Sequence, residues 1–226
     1  MTARIAVFAS GAGSNLEALL QYLEPRAATK SGSAAVALVV TNRSSAGALG
    51  VGTRHGVPTS VLTDPADGAA ILRLLAKSEV DIIALAGYLK PVPAQVTDAF
   101  RGRALNVHPA LLPAFGGPGM YGQRVHRAVI DAGVRVTGAT VHFIDALYDH
   151  GPIIAQWPVH VRSDDSPETL AARVLRVEHA LFPRVVEAVA EGRVQLDGDG
   201  RVRARAFDAA DAAQFSLQPE GVTTCG

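Results

Sequence analysis

Apolar positions along this chain recur in two rhythms. Residues 4–10, RIAVFAS, form a nearly unbroken apolar run that stops at a glycine turn and predict a strand. Directly after it, Leu16, Leu19, Leu20 and Leu23 fall at i, i+3, i+4 and i+7, one face of a helix. The β-branched run AAVALVVT at 34–41 predicts a second strand. A helix over 46–54, a short strand near 59–62 and a helix over 71–78 follow. DIIALAG, 81–87, reads as a third buried strand, and a helix near 94–100 leads into ALNVHPALLP at 104–113.

Short all-apolar strands alternating with helices imply a parallel sheet covered on both faces. The first half is therefore expected to be an α/β, Rossmann-like unit, with ligands bound beyond the carboxyl ends of its strands. The second half changes rhythm. FGGPGMYG, 115–122, is glycine-rich and precedes a helix near 125–131. VTGATVHFI, 136–144, and PIIAQWPVHV, 152–161, read as longer strands that extend the sheet in antiparallel fashion. A long helix begins at SPETL: Ser166 suits the N-cap, Pro167 the first helical position and Glu168 the dipole. Leu170, Val174, Val177 and Leu181 make its buried stripe, with Glu178 at the stripe's edge. One domain over 1–206 is expected, in halves of about 1–100 and 101–206, with a loosely packed tail at 207–226.

Composition narrows the class. The chain has 226 residues, 48% hydrophobic and 19% charged, enough for one large domain with a full core. Basic and acidic residues both number 21, so the balance gives no sign of a nucleic-acid partner. The lone cysteine, Cys225, allows no internal disulfide and suits a cytoplasmic protein. No run approaches the roughly 20 apolar residues of a membrane span, and no signal-peptide pattern opens the chain. Nothing in the pattern specifies an oligomeric state.

Chemistry concentrates at a few places. SGAGSN, 10–15, lies between a strand and a helix start, where free N–H groups and the helix dipole suit an anion such as phosphate. A tight capped turn would look the same, and Leu16 stands where a dinucleotide fingerprint needs its third glycine. Asn106 and His108 are two residues apart, so a strand points both side chains to one face, at its ligand end. An amide N–H and an imidazole converging on one point can stabilise an oxyanion and move a proton. A carboxylate partner for His108 is expected from HFIDALYDHG, where Asp145 and Asp149 are equal candidates. Tyr88, Leu89 and Val92 offer an apolar pocket wall or a plug for the sheet end, and the glycines of 115–122 suit a lid or a flexible connector. The other histidines show no metal-ligand spacing, so no metal is expected.

Taken together, SGAGSNLEAL, LAGYLK, LNVHPALLPAF, GATVHFIDALYDHGPIIAQ and RVLRVEHALFP resemble, in order and spacing, the phosphoribosylglycinamide formyltransferase family of purine biosynthesis. The resemblance runs from about residue 4 to 195. It implies formyl transfer from 10-formyltetrahydrofolate, the co-substrate, to the amine of glycinamide ribonucleotide through a tetrahedral oxyanion. Asn106 and His108 match the oxyanion and proton-handling residues. Asp149, rather than Asp145, matches the carboxylate that keeps the histidine protonated. Gly13, Ser14 and Asn15 match the substrate-phosphate loop. Leu175, Arg176, Val177 and Glu178 match the helix segment at the nucleotide substrate. Leu89, Lys90, Pro91 and Val92, with Asn106 and with Asp145, Ala146, Leu147, Tyr148 and Asp149, match the folate pocket. On this resemblance residues 1–100 are the nucleotide-phosphate half and 101–206 the folate and catalytic half.

Three departures stand out: Leu175 replaces a residue that is often polar, DPADGAA lacks the usual Arg before the third helix, and His150 replaces a small residue. The alternative is a formyltetrahydrofolate hydrolase, whose family carries an extra N-terminal regulatory domain. The first strand here begins within a few residues of Met1, which favours the transferase. A methionyl-tRNA formyltransferase would need a C-terminal RNA-binding domain and a basic surface. A nucleotide-binding module without activity would account for the loop but not for Asn106, His108 and Asp149.

Overall fold

The structure, a computed structural model, describes residues 2–27 and 34–205. The expected tail at 207–226, with Cys225, lies outside the described residues. The described chain runs β1 (Ala3–Phe8), α1 (Ser14–Ala27), β2 (Ala34–Thr41), α2 (Gly47–Arg54), β3 (Thr59–Val61), α3 (Gly68–Lys77), β4 (Ile82–Leu85), α4 (Ala94–Ala99) and β5 (Ala104–His108). It continues through α5 (Gln123–Asp131), β6 (Val136–Phe143), β7 (Ile153–His160), α6 (Pro167–Ala190), β8 (Val194–Leu196) and β9 (Val202–Ala204).

Seven strands form one sheet in the order β3-β2-β1-β4-β5-β6-β7. β1 to β5 pair in parallel, and β6 and β7 continue the sheet antiparallel, as the change of rhythm implied. The central strands are apolar on both sides because each side faces its own core. Along β1, Ile5 and Val7 enter the larger core while Ala6 and Phe8 enter the smaller one. The larger core also takes Leu16, Leu19, Leu20 and Leu23 of α1 and Leu170, Val174 and Leu181 of α6. Ile71 and Leu75 of α3 and Val96 of α4 cover the other side.

α6 starts as its sequence implies. The Ser166 hydroxyl accepts from the Thr169 N–H, the Thr169 side chain reciprocates, and Pro167 occupies the first turn. α3 begins three residues earlier than the apolar pattern suggested, because the Asp67 carboxylate caps the Ala70 N–H. The β8–β9 hairpin was not expected, since two three-residue strands carry too little pattern to register. Among the described residues, no helix is long and apolar enough to cross a membrane.

The strand order sets the place of the site. From β1 the chain moves outward to β2 and β3, then crosses back to β4 on β1's other side. The loops that leave β1 and β4 therefore diverge and open a crevice at the carboxyl ends of the strands.

Candidate active site

A cleft of about 760 Å³ occupies this crevice, walled by the segments after β4, β5 and β6, by the loop before α5 and by one face of α6. The β1 loop is shaped by close contacts. Gly13 has φ of 87°, and a Cβ there would lie 2.8 Å from the Cα of Ala48. The Ser10 hydroxyl donates to Asn42 Oδ1 (2.6 Å) and accepts from the Leu89 N–H (2.9 Å), tying the β1 loop to the β4 loop. Asn15 then points into the cleft, where its Nδ2 donates to Glu178 Oε2 of α6 at 2.6 Å. Burial pushes the Glu178 carboxyl above its ordinary range, with the Asn15 amide acting the other way. The second polar atom of Asn15, Oδ1, is buried without a partner.

β5 places Asn106 and His108 on one face. Antiparallel pairing sets Asn106 opposite His142 and His108 opposite Thr140 on β6. The turn after His108 is held in place by Thr140, whose hydroxyl donates to the Ala110 carbonyl (2.6 Å) and accepts from the Leu112 N–H (3.0 Å). The 145–150 loop returns to the sheet at Gly151, where a Cβ would lie 2.0 Å from the Phe143 carbonyl oxygen. That return carries Asp149, at φ of 54°, over the end of β5.

Asp149 lies at the centre of the polar cluster. Its Oδ2 stands 3.4 Å from His108 Nδ1 and accepts from the Gly117 N–H at 2.9 Å. Its Oδ1 accepts from Asn106 Nδ2 at 3.4 Å. Burial acts to raise the Asp149 carboxyl; His142, His108 and the Gly117 N–H together outweigh it and hold the group below its ordinary value. Asp145 serves its own loop instead, accepting from the Leu147 N–H (2.8 Å) and lying 3.2 Å from exposed His150.

His108 is 3% exposed, and its Nε2 donates to the Phe115 carbonyl at 2.9 Å. Burial is the largest influence on the ring and lowers its pKa. Asp149 and the Phe115 carbonyl oppose that shift without overcoming it. Desolvation thus outweighs, in the direction of the shift, a carboxylate 3.4 Å from the ring.

Of the anticipated residues, Asn15, Leu175 and Glu178 line the cleft, as do Leu89 to Val92, Asn106, His108 and Asp145 to Asp149. Gly13 and Ser14 shape the neighbouring loop without lining the cleft. Arg176 projects to solvent, and Val177 packs against the larger core. Two cleft residues escaped sequence reasoning. His142 is 1% exposed and meets Asn106; His126 is 4% exposed, with a pKa lowered to about 4 by burial and by His108. The signal for His142 was a histidine inside an otherwise apolar strand, which spacing rules for metal ligands pass over; His126, between Val125 and Arg127, carried none. Among the described residues, no group of three or more His, Cys, Asp or Glu is placed to hold a metal ion.

The cleft therefore joins a side-chain amide, a buried imidazole and a carboxylate to an apolar wall. Comparison with known proteins gives the family. The formyl transferase family model matches residues 3–186. The chain is 42% identical over 204 residues to chloroplastic phosphoribosylglycinamide formyltransferase of Arabidopsis thaliana, spanning 87% of this chain and 68% of that protein. It is 36% identical over 190 residues to phosphoribosylglycinamide formyltransferase of Bacillus subtilis, spanning 81% of this chain and 93% of that one. The crystal structure of the Anaplasma phagocytophilum phosphoribosylglycinamide formyltransferase superposes with a TM-score of 0.82 at 32% identity, over 92% of this chain and 97% of that chain. Fold, cleft and likeness together place this chain in the phosphoribosylglycinamide formyltransferase family.

Proposed function

We propose that the protein transfers the formyl group of 10-formyltetrahydrofolate to the amine of glycinamide ribonucleotide, a step of purine biosynthesis. The observation that carries this reading is the meeting of Asn106, His108 and Asp149 in the cleft that also receives Asn15 and Glu178. The apolar wall of Leu89, Val92, Leu147 and Tyr148 suits the flat ring of a folate. The β1 loop and the start of α1 suit the nucleotide phosphate, and buried Glu178 suits a donor on the nucleotide substrate.

In the reaction the amine nitrogen bonds to the formyl carbon, whose oxygen becomes an oxyanion. The bond from that carbon to the folate nitrogen then breaks. One proton leaves the amine, and one reaches the departing folate nitrogen. Asn106 Nδ2 donates to the oxyanion, in the role that Asp149 Oδ1 fills in the free cleft at a long 3.4 Å. His108, with Asp149 Oδ2 3.4 Å from its Nδ1, is the proton-handling group beside the developing negative charge. Asp149, held as a carboxylate, stabilises the imidazolium form of His108 and relays the amine proton toward the departing folate nitrogen. The cytoplasm is the compartment this reading assigns, since the single cysteine can form no internal disulfide.

The test supplies purified protein with 10-formyltetrahydrofolate, with and without glycinamide ribonucleotide. Formylated ribonucleotide should appear only when the amine is present. Folate consumed at the same rate without the amine would identify the hydrolase instead. Asn106→Ala should lower turnover by roughly 10²–10³-fold, the usual cost of one oxyanion donor; a near-normal rate would remove Asn106 from that role.

A further inference from the structure

We infer that His142 is a positioning residue that fixes the amide of Asn106 with its nitrogen turned toward the reacting oxygen. An asparagine amide can present either its NH₂ or its carbonyl to a given point, and only the NH₂ stabilises an oxyanion. Something must set that choice, and the surroundings of His142 do so by elimination.

The His142 ring is 1% exposed on β6, directly opposite Asn106 of β5. Its Nδ1 lies 2.8 Å from the Phe143 carbonyl oxygen. A carbonyl only accepts, so Nδ1 carries the ring proton. In the neutral ring Nε2 is then a bare acceptor; it stands 3.2 Å from Asn106 Nδ2, within hydrogen-bond reach, and 3.7 Å from Asp149 Oδ1, beyond it. An amide carbonyl turned toward that nitrogen would meet lone pair with lone pair. The amide nitrogen must face it instead, and its second hydrogen then points to Asp149 Oδ1 at 3.4 Å. The chain of command runs from the Phe143 carbonyl to the His142 tautomer, and from that tautomer to the Asn106 amide. His142 touches neither reacting atom on this account, and its hydrogen-bonding contact in the site is Asn106.

The inference rests on Asn106 as the oxyanion donor, so the experiment separates the two claims. His142→Phe keeps a buried ring but offers no acceptor, whereas His142→Gln can supply one through its side-chain carbonyl. Turnover of His142→Phe should fall about 10-fold or more, within the roughly 10²–10³-fold bound set by losing the donor itself. KM for both substrates should stay near wild type, because the interaction is made in the transition state. His142→Gln should recover part of the loss. In an Asn106→Ala background, His142→Phe should cost less than about 3-fold more, the non-additivity expected of residues acting as one unit. If the two losses multiply, His142 does not act through Asn106 and the inference is overturned. Unchanged turnover in Asn106→Ala would instead remove the oxyanion assignment on which the inference stands. A measurement on the unaltered protein is independent of how the variants fold: the ¹⁵N shifts of His142 should show Nδ1 protonated and Nε2 bare. A protonated Nε2 would overturn the inference.

Discussion

Asp149 shows how a single side chain can organise a site. It gathers the Gly117 N–H, the Asn106 amide and His108 around one carboxylate, and it is also the main influence opposing the burial of the imidazole. Asp149→Asn should therefore lower the titration midpoint of His108 further, since desolvation would act with less opposition. Turnover should fall with it, by on the order of 10²-fold or more if the group relays the amine proton. Histidine ring resonances followed against pH check the first part; a midpoint that stays or rises would show that Asp149 does not support the imidazolium. The sequence singled out Asn106 and His108 because i and i+2 on a strand share a face. It left Asp149 level with Asp145, because four residues of loop can turn either carboxylate inward. Resemblance decided between them, and the hydrogen bonds give the physical reason: Asp145 is committed to Leu147 and His150. His142 stayed hidden for a different reason, since it meets Asn106 only through the β5–β6 register, a pairing across 36 residues of sequence.

Elements with strong local signals were the most legible. The leucine face of α1 and the Ser166 cap of α6 follow from neighbouring residues alone. What sequence did not reveal is how α6 is anchored to the sheet. The Arg173 guanidinium grips Asp165 with both terminal nitrogens and donates to the His160 carbonyl at 3.0 Å, joining the first turns of α6 to the end of β7. Asp165 also accepts from the Arg162 N–H (2.8 Å) and the Thr169 hydroxyl (2.9 Å). Hydrogen bonding to Arg173, working against partial burial, brings the Asp165 pKa down to about 2. A carboxylate whose pKa is depressed in the fold contributes stability that is fully present above its unfolded value, roughly 3.9. That contribution is lost as pH falls through the folded value of about 2. Asp165→Asn should therefore cost on the order of 1–2 kcal/mol at pH 7, the scale of charged hydrogen bonds discounted for solvent screening. The gap from wild type should narrow as pH drops from about 4 toward 2. Denaturant titrations of both proteins across that range provide the check; a gap that persists at pH 2 would show that the ion pair is not its origin.

At the scale of the molecule, the cleft is built from both halves of the chain on one continuous sheet. The alternation of strands and helices announced the parallel half and its ligand-bearing edge. The order β3-β2-β1-β4-β5-β6-β7 depended on pairings between distant segments that no local pattern reports. One consequence is that each substrate should stabilise the whole fold by binding a different wall. Asn15 and Glu178 form the wall assigned to the nucleotide, while Leu89 to Val92 and Asp145 to Asp149 form the wall assigned to the folate. A ligand at 100 times its Kd stabilises the native state by about 2.7 kcal/mol. For a protein of this length that corresponds to a rise in Tm of roughly 5–10 °C. Glycinamide ribonucleotide and tetrahydrofolate, the non-reacting folate product, should each raise Tm when added alone. Glu178→Gln keeps the side chain's shape and removes the buried carboxyl, so it should lose much of the nucleotide shift while retaining the folate shift. Asn106→Ala should retain the nucleotide shift in full, because the donor it removes acts on the oxyanion. Differential scanning fluorimetry of the three proteins with each ligand makes the comparison. Equal loss of both shifts in Glu178→Gln would mean that the two walls are not separable, and that the division of the cleft between nucleotide and folate is wrong.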